Sequence, residues 1–594
     1  MKKHIQYIAV IGVLGVAGVQ TAHAQIKEEK LVLNRKREPE VKKIEKKKTS
    51  VPTEKNFPPK GKDSLKYQVT NIPLISDFKT STIKGEDISP KFNTGYNRNY
   101  FQLGYGNYGK FLVDGNVSGE IQPNLEVGAD VHHISTSGLK KYYNWDSKQQ
   151  NTEANVFLNS YGEVGKLNVD AGIELNNYNY YGNYQDVIQP ANNADLKQSY
   201  TKFGVNAYYD FYANNYLNDI RVKTAFTKDH FNAKENFYDA LVNFAKHDLT
   251  ISSSDGITMN ADLGVGIQGV NTQFDILNKN ESTHFVANFT PEVTFFKGNH
   301  YLKIGSRFTS LTSKYQTATT DRTRNNKFYW FPTAEILIAP KDEVKFYAGL
   351  DGGIKLNTYT DLLHDNPFLV SDLQLRPTET KYHVYFGIKG DIEQNFKYDI
   401  NAGYSKLNDM LFYKSNNLFS ADPSVQRNAY DYLNTFNTVY DNGNLSEVTI
   451  NAQYFPLENL NFTGELKYMS YSLKNFSNAF YKPVVQTTLG AKYSMLNKKL
   501  NLGFKGIFVT DRKANAFDVQ PLGTNNQYTT TEVNDRKVSG YVGYVDLNLS
   551  AEYKLHKNIS VFVMGNNLTG TSYQNYLGYK VMGAQVLGGI KLEF

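Results

Sequence analysis

The adjacent histidines His132 and His133 are the first residues in this sequence whose types suggest metal chemistry. Imidazole is a common transition-metal ligand, but the alternating residues around the pair predict a β-strand. Neighbouring side chains of a strand point to opposite faces, so the two rings cannot readily bind one ion. We therefore interpret them as ordinary strand residues. No spacing elsewhere indicates a Ser-His-Asp arrangement, although distant residues could converge in the fold, and we predict no catalytic, cofactor-binding or metal site.

Three acidic stretches suggest calcium binding, and the first of them, residues 114–120, lacks the spacing and length of an EF-hand loop. Residues 114–120 carry an acidic residue at each end and lie on a predicted strand. Asp361, Asp365 and Asn366, and residues 441–444, lie in predicted surface loops. We favour solvated loops over calcium sites for the last two stretches.

Eleven charged residues have a pattern that needs an explanation, because each alternates with apolar residues along its segment. Charges that faced lipid would cost about 2–4 kcal/mol each near the middle of a membrane. We therefore predict that they face a wet lumen, and their mixed signs predict no strong ion selectivity. They are Glu292, Asp351, Lys355, Lys389, Asp399, Glu465, Lys467, Lys492, Lys505, Asp546 and Glu552.

Strict alternation of apolar and polar residues runs through the chain from residue 99 onward. In residues 285–296, for example, Phe285, Ala287 and Phe289 share one face, whereas Asn288 and Thr290 share the other. Period two over about ten residues is typical of a tilted membrane strand. Segments of this kind predict about 22 strands. The sequence has no cysteine, so disulfides and thiolate metal sites are excluded.

The connections between the predicted strands alternate in length. Short turns, such as residues 122–124 and 254–256, use Pro, Asn, Asp and Gly. Long polar loops are predicted near residues 136–151, 178–198, 355–377, 408–442 and 511–539. Short periplasmic turns and long extracellular loops are the pattern of bacterial barrels, and a secreted β-sandwich has no reason to keep it. The sequence therefore predicts an all-β, transmembrane antiparallel β-barrel in the outer membrane of a Gram-negative bacterium, in contact with its lipid.

The N-terminal region predicts export. Residues 1–24 have a basic start, an apolar run and a small-x-small pattern at Ala22 and Ala24, which is typical of a cleaved signal peptide. Residues 25–66 contain fourteen Lys or Arg and seven Asp or Glu, and we predict a disordered periplasmic tail. Because the basic excess lies in this tail, a nucleic-acid-binding face is not expected. We expect residues 67–98 to lie at the barrel mouth or in the lumen and residues 99–594 to form the barrel.

The C-terminal strand ends in an aromatic residue, which resembles the signal read by the barrel-assembly machinery. Gly589, Leu592 and Phe594 carry this pattern, while Val586 and Ile590 are expected to face lipid. The assembly machinery is therefore an expected partner during biogenesis.

The last quarter of the chain resembles the end of TonB-dependent receptor barrels. The resemblance rests on residues 558–568 with their Asn-Leu pair, on a Tyr-rich loop with Tyr573, Tyr576 and Tyr579, and on the Gly-rich closing strand 588–594. Residues 375–379 also resemble the Leu-x-Pro-Glu region in the middle of such barrels, with one residue inserted. The family's 22 strands match the number predicted here, but residues 25–98 are too few for its plug domain. The resemblance therefore implies a receptor-like barrel without a plug, of a type found in Bacteroidota, for which engagement by TonB is not expected.

Two functions follow as hypotheses. The first is a porin-like pore or passive transport channel. The alternative is a structural or docking subunit of a multi-protein outer-membrane complex, in which the basic tail engages periplasmic or outer-membrane partner proteins. An enzyme is not expected, because no catalytic cluster is visible. A barrel of this size is normally plugged, so we expect residues 67–98, loops 408–442 and 511–539, or a partner chain to occlude the lumen.

Overall fold

The computed structural model describes seven ranges of the chain: residues 99–139, 145–183, 195–212, 216–419, 428–521, 528–539 and 543–594. The expectations for the signal peptide with Ala22 and Ala24, for the basic tail 25–66 and for residues 67–98 lie outside these ranges.

In the described residues, 22 strands form one antiparallel sheet that closes into a barrel, as the alternation predicts. Its first half consists of β1 (Tyr100–Gly106), β2 (Phe111–Gln122), β3 (Leu125–Thr136), β4 (Gln149–Tyr161), β5 (Gly165–Asn179), β6 (Lys197–Phe211), β7 (Leu217–Asp229), β8 (Lys234–Ser252), β9 (Ile257–Gln273), β10 (Glu281–Lys297) and β11 (His300–Gln316). Its second half consists of β12 (Thr323–Lys341), β13 (Val344–Lys355), β14 (Thr378–Ile392), β15 (Phe396–Ser415), β16 (Phe436–Leu457), β17 (Leu460–Leu473), β18 (Val485–Met495), β19 (Leu500–Val509), β22 (Tyr544–His556), β23 (Ile559–Asn566) and β26 (Gln585–Glu593).

Smaller elements lie in the connections. Two hairpins lie outside the barrel sheet, β20 (Lys513–Pro521) with β21 (Tyr528–Lys537), and β24 (Gln574–Tyr576) with β25 (Tyr579–Lys580). One α-helix, α1 (Tyr359–Asp365), and a 3-10 turn (Asn107–Gly109) complete the described structure. In this part of the chain no helix is long and apolar enough to cross a membrane.

The barrel closes where the first and last strands pair. β1 is bonded to β2 on one side and to β26 on the other, from Tyr100 opposite Glu593 to Gly106 opposite Leu587. The seam is tight at Gly589, where an added Cβ would lie 2.0 Å from the carbonyl oxygen of Leu103. The backbone N–H of Phe594 donates to Asn99 at 3.0 Å just beyond the last strand. Since every strand edge is paired at the seam, the sheet has no free edge there.

The two ends of the barrel differ as the sequence predicts. At one end the connections are tight turns, such as residues 298–299 and 557–558, and we call it the short-turn end. At the other end lie the long connections, including residues 356–377, 416–435, 510–543 and 567–584, and we call it the long-loop end.

Some predicted loop boundaries are wrong. Residues 408–442 are not one loop, because pairing of β15 with β16 resumes beyond a bulge and continues from Met410–Asp441 to Ser415–Phe436. Asp409 takes a φ of 51° at this bulge. Residues 441–444 therefore belong to a strand. The predicted loop 511–539 contains the hairpin β20–β21, and the loop 355–377 contains α1.

Large apolar side chains are exposed on alternate positions of the barrel strands. Phe386 is 65% exposed and Leu549 is 50% exposed, although each belongs to a strand that is paired on both sides. Val586 and Ile590 are exposed on β26, as the sequence predicts. An apolar exterior that alternates with a polar interior is what a barrel in lipid requires.

The alternation breaks in β13 at the pair Gly352-Gly353. The register with β14 shifts between Asp351 and Gly353, which marks a bulge. The sequence predicts that Ile354 and Leu356 share the apolar face of Phe346. This prediction is wrong, because both pack in an interior cluster with Val270, Val286 and Leu311. The upper end of β13 therefore turns into the barrel.

Candidate functional site

The long connections pack together across the long-loop end of the barrel. Their buried side chains, with the strand ends beside them, form one continuous cluster of mainly Tyr, Phe and Leu, which we call the loop layer. It is built from residues of the connections 137–148, 180–196, 230–233, 274–280, 356–377, 416–435, 474–484, 510–543 and 567–584 that the structure describes.

Hydrogen bonds within the loop layer join opposite walls of the barrel. The Tyr180 hydroxyl, after β5, donates to the carbonyl of Leu369 at 2.7 Å. The Asn434 amide, before β16, donates to the carbonyl of Tyr180 at 2.8 Å. These strands lie about half the ring apart. With strands about 4.8 Å apart and tilted by about 40°, the ring is roughly 45 Å wide, so the loops must reach inward from both sides to meet.

Aromatic rings form the centre of the loop layer. The rings of Phe368 and Tyr579 stack with centroids 3.4 Å apart, and Tyr181 meets Tyr579 edge-on at 5.0 Å. Both Phe368 and Tyr579 are essentially inaccessible to solvent. Gly182 is required beside this stack, because an added Cβ would lie 2.3 Å from the ring of Tyr579. Stacked and edge-on rings in a dry environment bind loops from three connections to one another.

The carboxylate of Glu235 anchors the start of α1. It accepts hydrogen bonds from the backbone N–H of Tyr359 at 2.5 Å and of Thr360 at 3.0 Å. The Thr360 and Thr272 hydroxyls also donate to it, at 2.7 and 2.8 Å. A buried carboxylate is tolerated only with such a set of donors, so Glu235 ties α1 to the barrel wall.

The carboxylate of Asp229 anchors the same connection at a second point. It accepts from the Tyr359 hydroxyl at 2.8 Å, the Gln198 amide at 3.2 Å and the Ser371 hydroxyl. Burial, and then the nearby Asp229 charge, raise the pKa of Tyr359 well above its ordinary value. The phenol therefore remains protonated and donates to Asp229. Together with Glu235, this carboxylate fixes the connection 356–377 inside the ring.

Asp372 and His284 attach the rest of this connection. The backbone N–H groups of Asn278 and Asn280 donate to Asp372 at 2.6 and 3.0 Å. The His284 ring lies 3.1 Å from the carbonyl oxygen of Leu375. The connection 356–377 is thus bonded to several parts of the barrel wall. It crosses the inside of the ring and fills part of it.

A polar cavity of about 540 Å³ lies beside the loop layer, against the inner face of β11 and β12. Its walls are mostly hydroxyl and amide side chains, with two basic and two acidic residues. Arg376 is held there by Asp409 at 3.7 Å and by the ring of Tyr440 at 5.6 Å. The lining includes Ser313, Tyr315, Gln316, Thr317, Thr320, Thr323, Asn325, Lys327, Tyr329, Ile354, Gln374, Arg376, Glu379, Asn408, Asp409 and Asn442.

Several of the charged residues predicted for the lumen lie beside an opposite charge or a polar group. The carboxylates pair as Glu292 with Lys303 at 3.5 Å, Glu465 with Lys467 at 2.6 Å, Glu552 with Lys591 at 3.7 Å and Asp351 with His383 at 3.3 Å. Asp399 accepts from the Tyr347 hydroxyl at 2.5 Å, Lys389 lies 5.0 Å from the centre of the same ring, and Asp546 accepts from Tyr573 at 2.9 Å.

The eleven predicted residues do not form one site. They lie on eight strands from β10 to β22, and Lys355, Lys492 and Lys505 lie on β13, β18 and β19. Lys355 follows the bulge at Gly352-Gly353, so alternation alone no longer assigns its face. That these charges line a wet lumen stays a prediction.

The candidate metal residues are engaged in other contacts. His132 lies 3.6 Å from Asp114 across the strand pair, whereas His133 is bonded to Thr152 at 2.8 Å. The backbone and side-chain oxygens of Asp365 accept from Tyr576 and Tyr413 at 3.0 and 2.7 Å. Asp441 is buried and accepts from the backbone of Asn475 and Phe476. Among the described residues no group of three or more His, Asp or Glu is placed to hold a metal ion.

Sequence patterns miss the residues that close the barrel. Asp229 and Glu235 flank a tight turn, and their partners in the connection 356–377 are more than 120 positions away. The one usable signal is the composition of that connection, which carries many apolar residues between polar ones although it lies outside any alternating segment. Such residues indicate a buried loop rather than a solvated one.

Comparisons with known proteins show the fold. No family model and no curated protein matches this sequence. Solved structures do: the siderophore receptor PiuA from Acinetobacter baumannii has a TM-score of 0.59 at 8% identity, and the FrpB iron transporter from Neisseria meningitidis has 0.59 at 11%. The ferric-catecholate import receptor Fiu from E. coli K12 has 0.58 at 11%, and each comparison covers 84% of this chain and 82% of the other. The chain therefore has the 22-stranded barrel fold of receptors and transporters, which the resemblance to TonB-dependent receptors implies.

Proposed function

We propose that this chain is an outer-membrane transport barrel, similar to a TonB-dependent receptor without its plug domain, whose loop layer closes the long-loop end at rest. Solute passes when part of the layer moves aside, and the passage is passive. The observation that carries this proposal is the dry contact of loops from opposite walls through Tyr180, Leu369 and Asn434.

The transport part of the proposal is supported by the fold. Proteins described as a siderophore receptor, an iron transporter and an import receptor share this barrel at 8–11% identity. A barrel of 22 strands encloses a lumen far wider than a small solute, so it needs a closing device. The exposed apolar exterior supports an outer-membrane location, and we propose that the long-loop end is extracellular and the short-turn end periplasmic.

The gate is proposed to include the connection 356–377. This segment contributes α1 and the ring of Phe368 to the centre of the layer, and it is held by the two carboxylates Asp229 and Glu235. Water can replace the donors of these two carboxylates when the segment moves, so we propose Asp229 and Glu235 as the points at which the segment is released.

Solute permeation into proteoliposomes tests the proposal. The full chain is compared with a variant in which residues 359–375 are replaced by a Gly/Ser segment of equal length. We expect slow entry of small sugars for the unaltered protein and entry at least about tenfold faster for the variant, because the barrel lumen is wide once unfilled. Replacement of residues 317–322, at the same end but without a side chain in the buried cluster of the loop layer, is the matched control. Equal rates for all three proteins would contradict the proposed gate.

A docking subunit is the second candidate, and one observation favours it. A loop layer with so many buried rings is costly to open, which suits a permanently closed platform. In that case the predicted basic tail 25–66 would engage a partner. Purification from native membranes in mild detergent should then yield a stoichiometric partner that is lost when residues 25–66 are removed. A monomer without partners would exclude this alternative.

A further inference from the structure

The ladder between β12 and β13 ends before the long-loop end of the barrel. Their ladder runs from Lys341–Val344 to Ala334–Leu350 and ends there. β12 continues to Thr323, paired with β11. β13 instead turns inward at Gly352-Gly353 and stays paired with β14. We call the stretch without pairing, residues 323–333 of β12 beside residues 351–355 of β13, the side opening.

The bulge between β13 and β14, where Gly352 faces both Lys381 and Tyr382, fixes the lower limit of the side opening. Arg307 donates from its guanidinium to the carbonyl of Gly352 at 2.9 Å. The ring of Phe331 lies so close to Gly352 that an added Cβ would be 2.8 Å from it. The two glycines thus let β11 and β12 approach β13 at this point, and β12 and β13 are not paired beyond Ala334 and Leu350.

Apolar side chains line the side opening from inside to outside. Tyr329 and Ile354 both pack against the interior cluster around Leu311. The ring of Tyr329 also stacks on the ring of Phe331, with centroids 5.7 Å apart. On the outer face, Phe328 is 71% exposed and Trp330 is 61% exposed. Exposed aromatics at this height are typical of the membrane interface. Apolar side chains therefore run from the interior of the barrel to the outer surface of β12.

The polar cavity lies directly inside the side opening. Asn325, Lys327 and Tyr329 line it from β12, and Ile354 lines it from β13. The positive charges of Lys327 and Arg376 are balanced by the negative charges of Glu379 and Asp409, so the lining has no net charge. Its hydroxyl and amide side chains offer many hydrogen-bond donors and acceptors. Its volume of about 540 Å³ is in the range of small-molecule sites.

We propose that the cavity and the side opening together bind one zwitterionic phospholipid from the membrane. The head group lies in the cavity, with its phosphate toward Lys327 and Arg376 and its ammonium toward Glu379 and Asp409. The acyl chains pass Tyr329 and Phe331 and leave between β12 and β13. This site is separate from the transport path of the proposed function and does not depend on it.

Addition of a partner strand to the free edge of β12 is the main alternative, and the residues of this edge oppose it. Pro332 has no N–H to donate to a ladder, and prolines within sheets are found on strands that stay unpaired at that position. Arg324 and Lys327 place charges on the same edge. Natural sheets use proline and charge on an edge to prevent strand addition.

Site-specific photo-cross-linking in proteoliposomes tests the proposal. A photoreactive phenylalanine analogue replaces Tyr329, or Phe386 as a control on the lipid-facing surface of β14. The vesicles contain equal amounts of phosphatidylethanolamine and anionic phosphatidylglycerol. We expect the probe at position 329 to label the zwitterionic lipid about tenfold more than the anionic one, the effect of losing one charge-assisted contact. The probe at position 386 should label both lipids equally.

The head-group contacts are tested by a pair of variants in the background that carries the probe at position 329. Lys327→Ala with Arg376→Ala should reduce labelling of the zwitterionic lipid about tenfold. Arg221→Ala with Lys223→Ala, two basic residues of β7, should leave it unchanged. Heat-dependent migration in gels verifies that each barrel is folded. Labelling at position 329 without head-group preference, labelling of a polypeptide, or no labelling at this position would each overturn the proposal.

Discussion

At the scale of single residues, two buried carboxylates hold the connection 356–377 in the loop layer. Glu235 is 2% exposed and gives its oxygens to the first turn of α1, while Asp229 is 5% exposed and receives Tyr359, Gln198 and Ser371. A single buried acidic residue usually suggests a functional acid. Here the donors around each carboxylate show an anchoring role. Sequence reasoning could not find this role, because the partners come from a distant connection without local periodicity.

Removal of the Glu235 anchor should loosen α1 without unfolding the barrel. Glu235→Ala leaves the backbone N–H groups of Tyr359 and Thr360 without their acceptor. A hydrogen bond to a charged group contributes about 1.5–3 kcal/mol, so amide exchange at these residues should accelerate at least about tenfold. Hydrogen exchange measured by mass spectrometry checks this, with exposed Glu163→Ala in a short turn as control. Unchanged exchange in α1 would argue against the anchor.

The contact between Gly182 and Tyr579 should be equally sensitive. Gly182→Ala places a methyl group where the Tyr579 ring lies, which costs roughly 1–3 kcal/mol for an overpacked core. We expect faster exchange in the connection 567–584. Gly119→Ala is the matched control, because an added Cβ there meets nothing within 4 Å. If amide hydrogen exchange in the connection 567–584 is the same in both variants, the aromatic stack does not hold this connection in place.

At the scale of elements, the alternation of apolar and polar residues predicted the barrel strands. A strand with lipid on one face needs an apolar side chain at every second position. The prediction failed where that constraint is absent. α1 has seven residues and no stability of its own, so its existence depends on Glu235 and on packing. The hairpin β20–β21 buries Ala514 and Ala516 against other loops, not against lipid. The bulge at Gly352-Gly353 is visible as a glycine pair, but only the position of Phe331 and Arg307 explains it.

The hairpin β20–β21 should be shielded by the loop layer. The chain has no cysteine, so a single engineered thiol can be labelled without background. Ala516→Cys lies at a position with 0% exposure and should react with a bulky maleimide at least about a hundredfold more slowly than Thr319→Cys, an exposed loop position. The rates are followed on folded protein in detergent. Comparable rates at both positions would mean that the hairpin is solvated and not part of the layer.

At the scale of the whole molecule, the protein is a wide barrel whose loop end is filled by its own chain. The sequence led us to expect occlusion by loops 408–442 and 511–539, by residues 67–98 or by a partner chain. The described residues of the first two loops do contribute, through Tyr432 and Ala516, but the connection 356–377 contributes the centre. The large lumen of a 22-stranded barrel and a closed resting state are therefore compatible.

Single-molecule conductance across a planar lipid bilayer tests closure by the loop layer most directly. We predict that the purified full chain stays closed at rest, with rare brief openings. Replacement of residues 359–375 by a Gly/Ser segment should give a large and steady conductance, because the side chains at the centre of the loop layer are then removed. A large and steady conductance of the unaltered protein, unchanged by this replacement, would contradict the account.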